Sequence, residues 1–260
     1  MDKNKDIKEY ACKTFSGTPI ISFNDQRLTW HNGTPNFEII NDTSIKIHPT
    51  AKLDYWSKTF YGPKPLIVNN GQTLVAKVPY DEEATITTSF TLHPTEQFDQ
   101  AGIMIIVNEN IWVKAGIEYT DGWPNLSCVV TNQGYSDWST QRIVPTTTTN
   151  KNNNNNNETN DVSLHIRVSK VRPGAIQGPS LIFEAAYFNE ENQQKKEEEL
   201  DWFQVRIASL RSPVAQQEEN DSDWLMGIFS NAPTKQNGSY VTFHNIEIGE
   251  KVKPVHDANL

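Results

Sequence analysis

Apolar and polar residues alternate along most of this chain, and runs at helical spacing are scarce. The clearest run is Ile111–Tyr119. Ile111, Val113, Ala115, Ile117 and Tyr119 fall on one face, and Trp112, Lys114, Gly116 and Glu118 on the other. The first is a core face; the second gathers an indole, an ammonium and a carboxylate. Sixteen segments read as strands: Pro19–Phe23, Leu28–Asn32, Phe37–Asn41, Ser44–His48, Tyr55–Phe60, Thr73–Pro79, Ala84–Leu92, Ala101–Asn108, Ile111–Tyr119, Leu126–Thr131, Asp137–Val144, Val162–Val171, Ser180–Phe188, Phe203–Ser209, Trp224–Ser230 and Tyr240–Ile248. Many short strands without a long helix predict an all-β fold, a two-sheet antiparallel jelly-roll sandwich.

Strand-like segments continue from Ile20 to Ile248 without a break between two halves. One sandwich domain is therefore expected over 15–250, after a flexible N-terminus (1–14) and before a C-terminal tail (251–260). Three stretches read as loop expansions. The Thr/Asn-rich insertion 146–160 cannot build a core and is expected to be disordered. The charged run 189–199 and the acidic, Gln-rich run 213–223 read as solvated loops.

Charge and cysteine usage narrow the partners. A formal net charge of -9 argues against nucleic acid or an anionic membrane as the main partner. No apolar run approaches the roughly 20 residues that span a bilayer, and the N-terminus lacks an apolar signal core. Cys12 and Cys128 suit a reducing compartment, so a cytoplasmic protein is expected. The six Asn-x-Ser/Thr sequons then read as by-products of composition. The six histidines never pair at ligand spacing, so neither a metal nor a cofactor is expected. Gly-x-Ser-x-Gly and phosphate-loop patterns are absent.

The chemistry-bearing residues sit on the polar faces of strands. In Val162–Val168 these are His165 and Arg167; in Leu181–Tyr187, Glu184; in Trp202–Ile207, Trp202 and Arg206. If these strands share a sheet with Ile111–Tyr119, one face carries Trp112, Lys114, Glu118, His165, Arg167, Glu184, Trp202 and Arg206. Gly134–Ser139 adds Asp137 and Trp138 after a turn. Aromatic faces stack on sugars while Arg and carboxylates bind hydroxyls, so these ten residues form a candidate ligand site. The same pattern fits cross-strand ion pairs on a wet face, with Trp138 capping the core. Glu118 with Glu184 is the one carboxylate pair that could serve a glycosidase. The Glu-x-Asp-x-x-Glu pattern of β-sandwich glycosidases is missing, since Tyr119-Thr120-Asp121-Gly122-Trp123 follows Glu118.

Several of these segments, in order, resemble one family. They are Phe98-Asp99-Gln100-Ala101-Gly102, Trp112 to Glu118, Ser136-Asp137-Trp138-Ser139, Trp202-Phe203-Gln204-Val205-Arg206 and Met226-Gly227-Ile228-Phe229-Ser230. The family is uncharacterised, includes members labelled "regulation of enolase protein", and has a fold similar to concanavalin A-like lectins and glucanases. The likeness spans roughly Phe15 to Gly249. It implies a jelly roll with a concave face and a role in carbohydrate metabolism through the glycolytic enzyme enolase, and it brings no catalytic residues. Three functions follow as alternatives: a non-catalytic, lectin-like protein binding a carbohydrate or a protein partner such as enolase; a carbohydrate-active enzyme using Glu118 and Glu184; or a pure protein-interaction module.

Overall fold

A computed structural model describes residues 15–143, 161–172, 179–187, 197–210, 223–235 and 238–256. Most of the three loop expansions, the N-terminal 14 residues and the last four lie outside the described residues. Sixteen strands, numbered in chain order, form two seven-stranded sheets and a small hairpin. In spatial order the first sheet holds β1 (Thr29–His31), β6 (Thr73–Val78), β15 (Trp224–Asn231), β8 (Gln100–Asn108), β9 (Ile111–Thr120), β10 (Trp123–Asn132) and β11 (Tyr135–Arg142). The second holds β14 (Phe203–Ser209), β13 (Ser180–Tyr187), β12 (Val162–Val171), β7 (Ala84–His93), β16 (Tyr240–Gly249), β3 (Ser44–His48) and β2 (Asn36–Asn41). β4 (Tyr55–Ser57) pairs with β5 (Ile67–Asn69). Every strand pair is antiparallel, as the alternating pattern predicts.

The alternating faces pack as their periodicity dictates. Ile111, Val113, Ala115 and Ile117 of β9 meet Leu164, Ile166 and Val168 of β12 and Phe90 of β7 in one core between the sheets. Gly116 stands opposite Gly102, and a Cβ there would collide with the carbonyl of Ala101, so close approach of β8 and β9 requires glycine. A second apolar cluster lies on the outer face of the first sheet. There Trp112, Met104, Val129 and Phe229 meet Tyr55 and Trp56 of the β4–β5 hairpin.

Two strand expectations are corrected. Pro19–Phe23 makes a single bridge, Ile20 to Ile248, because Pro19 has no N–H to donate and the chain turns at Ser22–Asp25. Tyr55–Phe60 stops at Ser57, because Lys58 and Phe60 turn the chain with φ of 61° and 65°. The expectation of a single shared face is also overturned. β9 belongs to the first sheet, whereas β12, β13 and β14 belong to the second. Among the described residues no helix is long and apolar enough to cross a membrane.

Candidate ligand-binding site

The β4–β5 hairpin and its flanks lie over the outer face of β8, β9 and β10. Asn32 clasps the hairpin base: its Nδ2 donates to the Tyr55 hydroxyl at 2.9 Å, to Asn69 O at 2.9 Å and to Gly71 O at 3.2 Å. Tyr55 packs on Trp112 with ring centroids 5.4 Å apart. Beside them Lys114 Nζ donates to Asp54 Oδ1 at 2.7 Å, and Gln100 Nε2 donates to the same oxygen at 3.1 Å. Trp112 is 1% exposed and Lys114 4%, so both are sealed beneath the hairpin.

Glu118 lies at the other end of this covered strip. Its Oε2 accepts the Ser127 hydroxyl at 2.7 Å, and Ser127 Oγ accepts the Trp138 indole N–H at 2.9 Å. Burial pushes the Glu118 carboxyl above the ordinary glutamate range, against the pull of Lys114 and of the Ser127 hydrogen bond. Trp138 then forms one wall of a cleft of about 590 Å³, lined also by Trp56, Thr59, Phe60, Tyr61, Ser136 and Asp137. Trp56 meets Tyr61 at 5.2 Å and 77° and Trp138 at 6.2 Å and 82°, so its ring stands nearly perpendicular to each of the other two. Their positions are fixed from below: Trp56 Nε1 donates to Thr59 O at 2.9 Å, Ser57 N to Ser136 Oγ at 2.9 Å and Ser57 Oγ to Gly134 O at 2.7 Å. Burial, aided by the charges of Glu118, Asp121 and Asp54, raises the Tyr61 pKa and keeps its phenol protonated.

The remaining sequence candidates lie elsewhere. Arg167 and Glu184 face outward from the second sheet, with Arg167 Nε donating to Glu184 Oε2 at 2.8 Å. The Trp202 ring covers Arg167 at 4.4 Å, Glu197 adds a second carboxylate at 3.3 Å, and the backbone N–H of Val255 donates to Glu184 Oε1 at 2.6 Å. This is an ion pair buried under the C-terminal segment and the short turn Glu197–Glu199. His165 is on the same outer face near His244; burial lowers its pKa to about 4. Glu118 and Glu184 therefore point away from the core on opposite sheets. With the sandwich between them they cannot flank one glycosidic bond, which overturns the paired-carboxylate arrangement.

Arg206 departs from its expected face because a bulge at Phe183/Glu184 shifts the parity of β14. It reaches across the edge of the sandwich to Asp137, Nη2 to Oδ2 at 3.0 Å, and to Ser139 Oγ at 3.3 Å. Of the ten candidates, the structure brings Trp138 and Asp137 to the cleft, with Glu118 behind Trp138. Trp56, Phe60 and Tyr61 were absent from the sequence candidates. The signal for them was four aromatic residues in the seven positions 55–61, just before Gly62-Pro63. Among the described residues no group of three or more His, Cys, Asp or Glu side chains could hold a metal ion.

A two-sheet jelly roll of concanavalin A-like architecture, with an aromatic cleft on one outer face, is thus the class of protein defined here. The chain belongs to the family described as "Protein of unknown function (DUF1349)", which matches residues 30–251. It is 35% identical over 112 residues to the Saccharomyces cerevisiae protein named "Regulation of enolase protein 1", covering 43% of this chain and 53% of that one. The chain spans about half the length of the curated relatives it matches. Among solved structures, a functionally unknown protein from Saccharomyces cerevisiae aligns with a TM-score of 0.63 at 24% identity, covering 87% of this chain and 98% of that one. A bifunctional GH43-CE protein of Bacteroides eggerthii aligns at 0.56 and 11% identity, covering 88% of this chain and 24% of the other. These likenesses establish the fold.

Proposed function

We propose that this chain is a non-catalytic, cytoplasmic sugar-binding protein whose ligand sits in the cleft of Trp56, Tyr61 and Trp138. The observation that carries this reading is the cleft lined by Trp56, Tyr61 and Trp138, in which the Trp56 ring stands nearly perpendicular to the other two. Ring faces offer stacking surface to the CH face of a pyranose, and the hydroxyls of Thr59 and Tyr61 in the lining exchange hydrogen bonds with its own. One feature favours binding over turnover: Glu118 is sealed behind Trp138, with its carboxylate held by Ser127. The buried, free thiol of Cys128 fits a reducing compartment.

The test is a calorimetric titration of neutral mono- and oligosaccharides into the wild type and Trp138→Ala. Saturable binding lost in the variant, with the unfolding transition still cooperative, supports the cleft. Equal binding by both proteins removes it.

A second reading rests on the name of the yeast relative. In it the protein acts on enolase, and the apolar hairpin tip, with Phe60, Leu66 and Ile67 exposed, is the surface that docks. Co-purification of enolase that is lost on Phe60→Ala/Ile67→Ser would support that reading. Retention would sink it.

A further inference from the structure

We infer that the cleft takes a neutral oligosaccharide of two or more units rather than a single sugar, with Phe60 as an outer stacking platform; this rests on the sugar-binding reading above. Trp56 and Trp138 already supply the inner wall on which one ring can stack. Phe60 is left over. Its side chain is 86% exposed, more than that of any other large hydrophobic residue among the described residues, and it packs into neither apolar cluster.

Its backbone is also held where a phenylalanine seldom sits. With φ of 65° it lies in the left-handed region, two residues after Lys58 at 61°. Such strain persists only where the surroundings impose it, and it concentrates at ligand sites. Here the imposing contacts are visible. Trp56 Nε1 grips Thr59 O, Tyr61 N donates to Thr59 O at 3.0 Å, and Lys58 N donates to Leu66 O at 2.7 Å. The turn is pinned so that Phe60 stands at the cleft, its centroid 5.4 Å from Tyr61 at 68°. A bare aromatic ring beside a walled aromatic cleft is what a second sugar in a chain would meet.

The lining chemistry selects the class of sugar. Among the seven residues of the cleft there is one carboxylate, Asp137, and no cation. Uronic acids and sugar phosphates would find no free cation in this lining, because Arg206, the cation that reaches Asp137, is already matched by that carboxylate. Neutral units need only hydroxyls and rings. The volume of about 590 Å³ lies well inside the range of roughly 300–1,000 Å³ that encloses drug-sized ligands.

The experiment is a titration of the full chain with neutral gluco-, xylo- and galacto-oligosaccharides of one to six units, and with oligogalacturonate, comparing wild type, Phe60→Ala and Phe60→Gly. Phe60 is exposed, and the glycine variant relieves the left-handed backbone, so folding is preserved. For at least one neutral series the wild type gains about tenfold in affinity from one unit to three, and in both variants the affinity for three units falls to that for one. If affinity is independent of length, or the gain survives in both variants, the platform is wrong and the cleft reading stands. Preference for oligogalacturonate overturns the neutral class. Absence of binding by every sugar overturns the platform together with the reading beneath it.

Discussion

Trp138 is tied to Glu118 through the Ser127 hydroxyl. Ser127 Oγ accepts the Trp138 indole N–H at 2.9 Å and donates to Glu118 Oε2 at 2.7 Å. The orientation of a cleft wall is therefore coupled to a buried carboxylate. Ser127→Ala removes the bridging hydroxyl, leaves Trp138 and Glu118 to each other, and costs about 1 kcal/mol. Sugar affinity falls in the same variant and returns in Ser127→Thr, which keeps the hydroxyl. Denaturant unfolding and calorimetry together test this; an alanine variant with native affinity breaks the link between the two residues.

Lys114 is the cation of the strip beneath the hairpin. Lys114→Met leaves Asp54 and Glu118 without their counter-charge and costs about 2–3 kcal/mol, toward the lower side for a buried pair because Asp54 is 21% exposed. Adding Asp54→Leu recovers much of that loss. Urea midpoints of the four proteins in the cycle decide the matter, and strictly additive losses would show that the two residues do not interact.

On the second sheet, Glu184→Gln removes the nearer of two carboxylates from Arg167, which keeps Glu197 at 3.3 Å and whose surroundings are closed by Trp202 and the C-terminal segment. The expected loss is about 2–3 kcal/mol, below that of a buried charge left unpaired. Sugar binding at 15 °C stays at the wild-type value, because this pair faces away from the cleft across the sandwich. A change in affinity without a change in stability would reverse that assignment.

Stability also falls in acid through His165. Its folded pKa of about 4 lies below the ordinary value of 6.5, and that of His244 is lowered as well, in each case chiefly by burial. The unfolded chain then binds protons that the folded chain refuses, so this contribution is fully present above pH 6.5 and is lost as pH falls toward 4. Glu118, raised by burial, acts in the opposite sense at the acid end, holding stability below its unfolded pKa. For His165 the loss is on the order of 2 kcal/mol once solvent reaching the ring is allowed for. His165→Asn flattens the difference between unfolding free energies at pH 7 and pH 4.5. An unchanged slope would remove His165 from the account.

The legible part of this sequence was its parity. Ile111–Tyr119 and Val162–Val171 announced strands and core faces directly, because a buried face must alternate. Parity says nothing about which sheet a strand joins. Trp112 and Arg167 were thus placed on one surface when they occupy opposite ones. Register failed at β14 for a related reason: one bulge turns Arg206 from the outer face to the inter-sheet edge. The cleft was hidden because half of it comes from a turn. Trp56 and Tyr61 meet Trp138 only after the chain reverses through left-handed residues, and Lys58 and Phe60 carry no sequence mark of that conformation.

The contact between Arg206 and Asp137 has a meaning beyond its small energy. β11 and β14 are the last strands of their sheets on the same side of the sandwich. Outer strands carry backbone donors and acceptors that a second chain could extend into a fibre-like ladder. Arg206 closes that seam at 3.0 Å, and Asn132 Nδ2 joins Ser209 O across it at 2.8 Å. Lacing the two margins to each other crowds that side of the sandwich with side chains and makes it a poorer template for a neighbouring copy's strand.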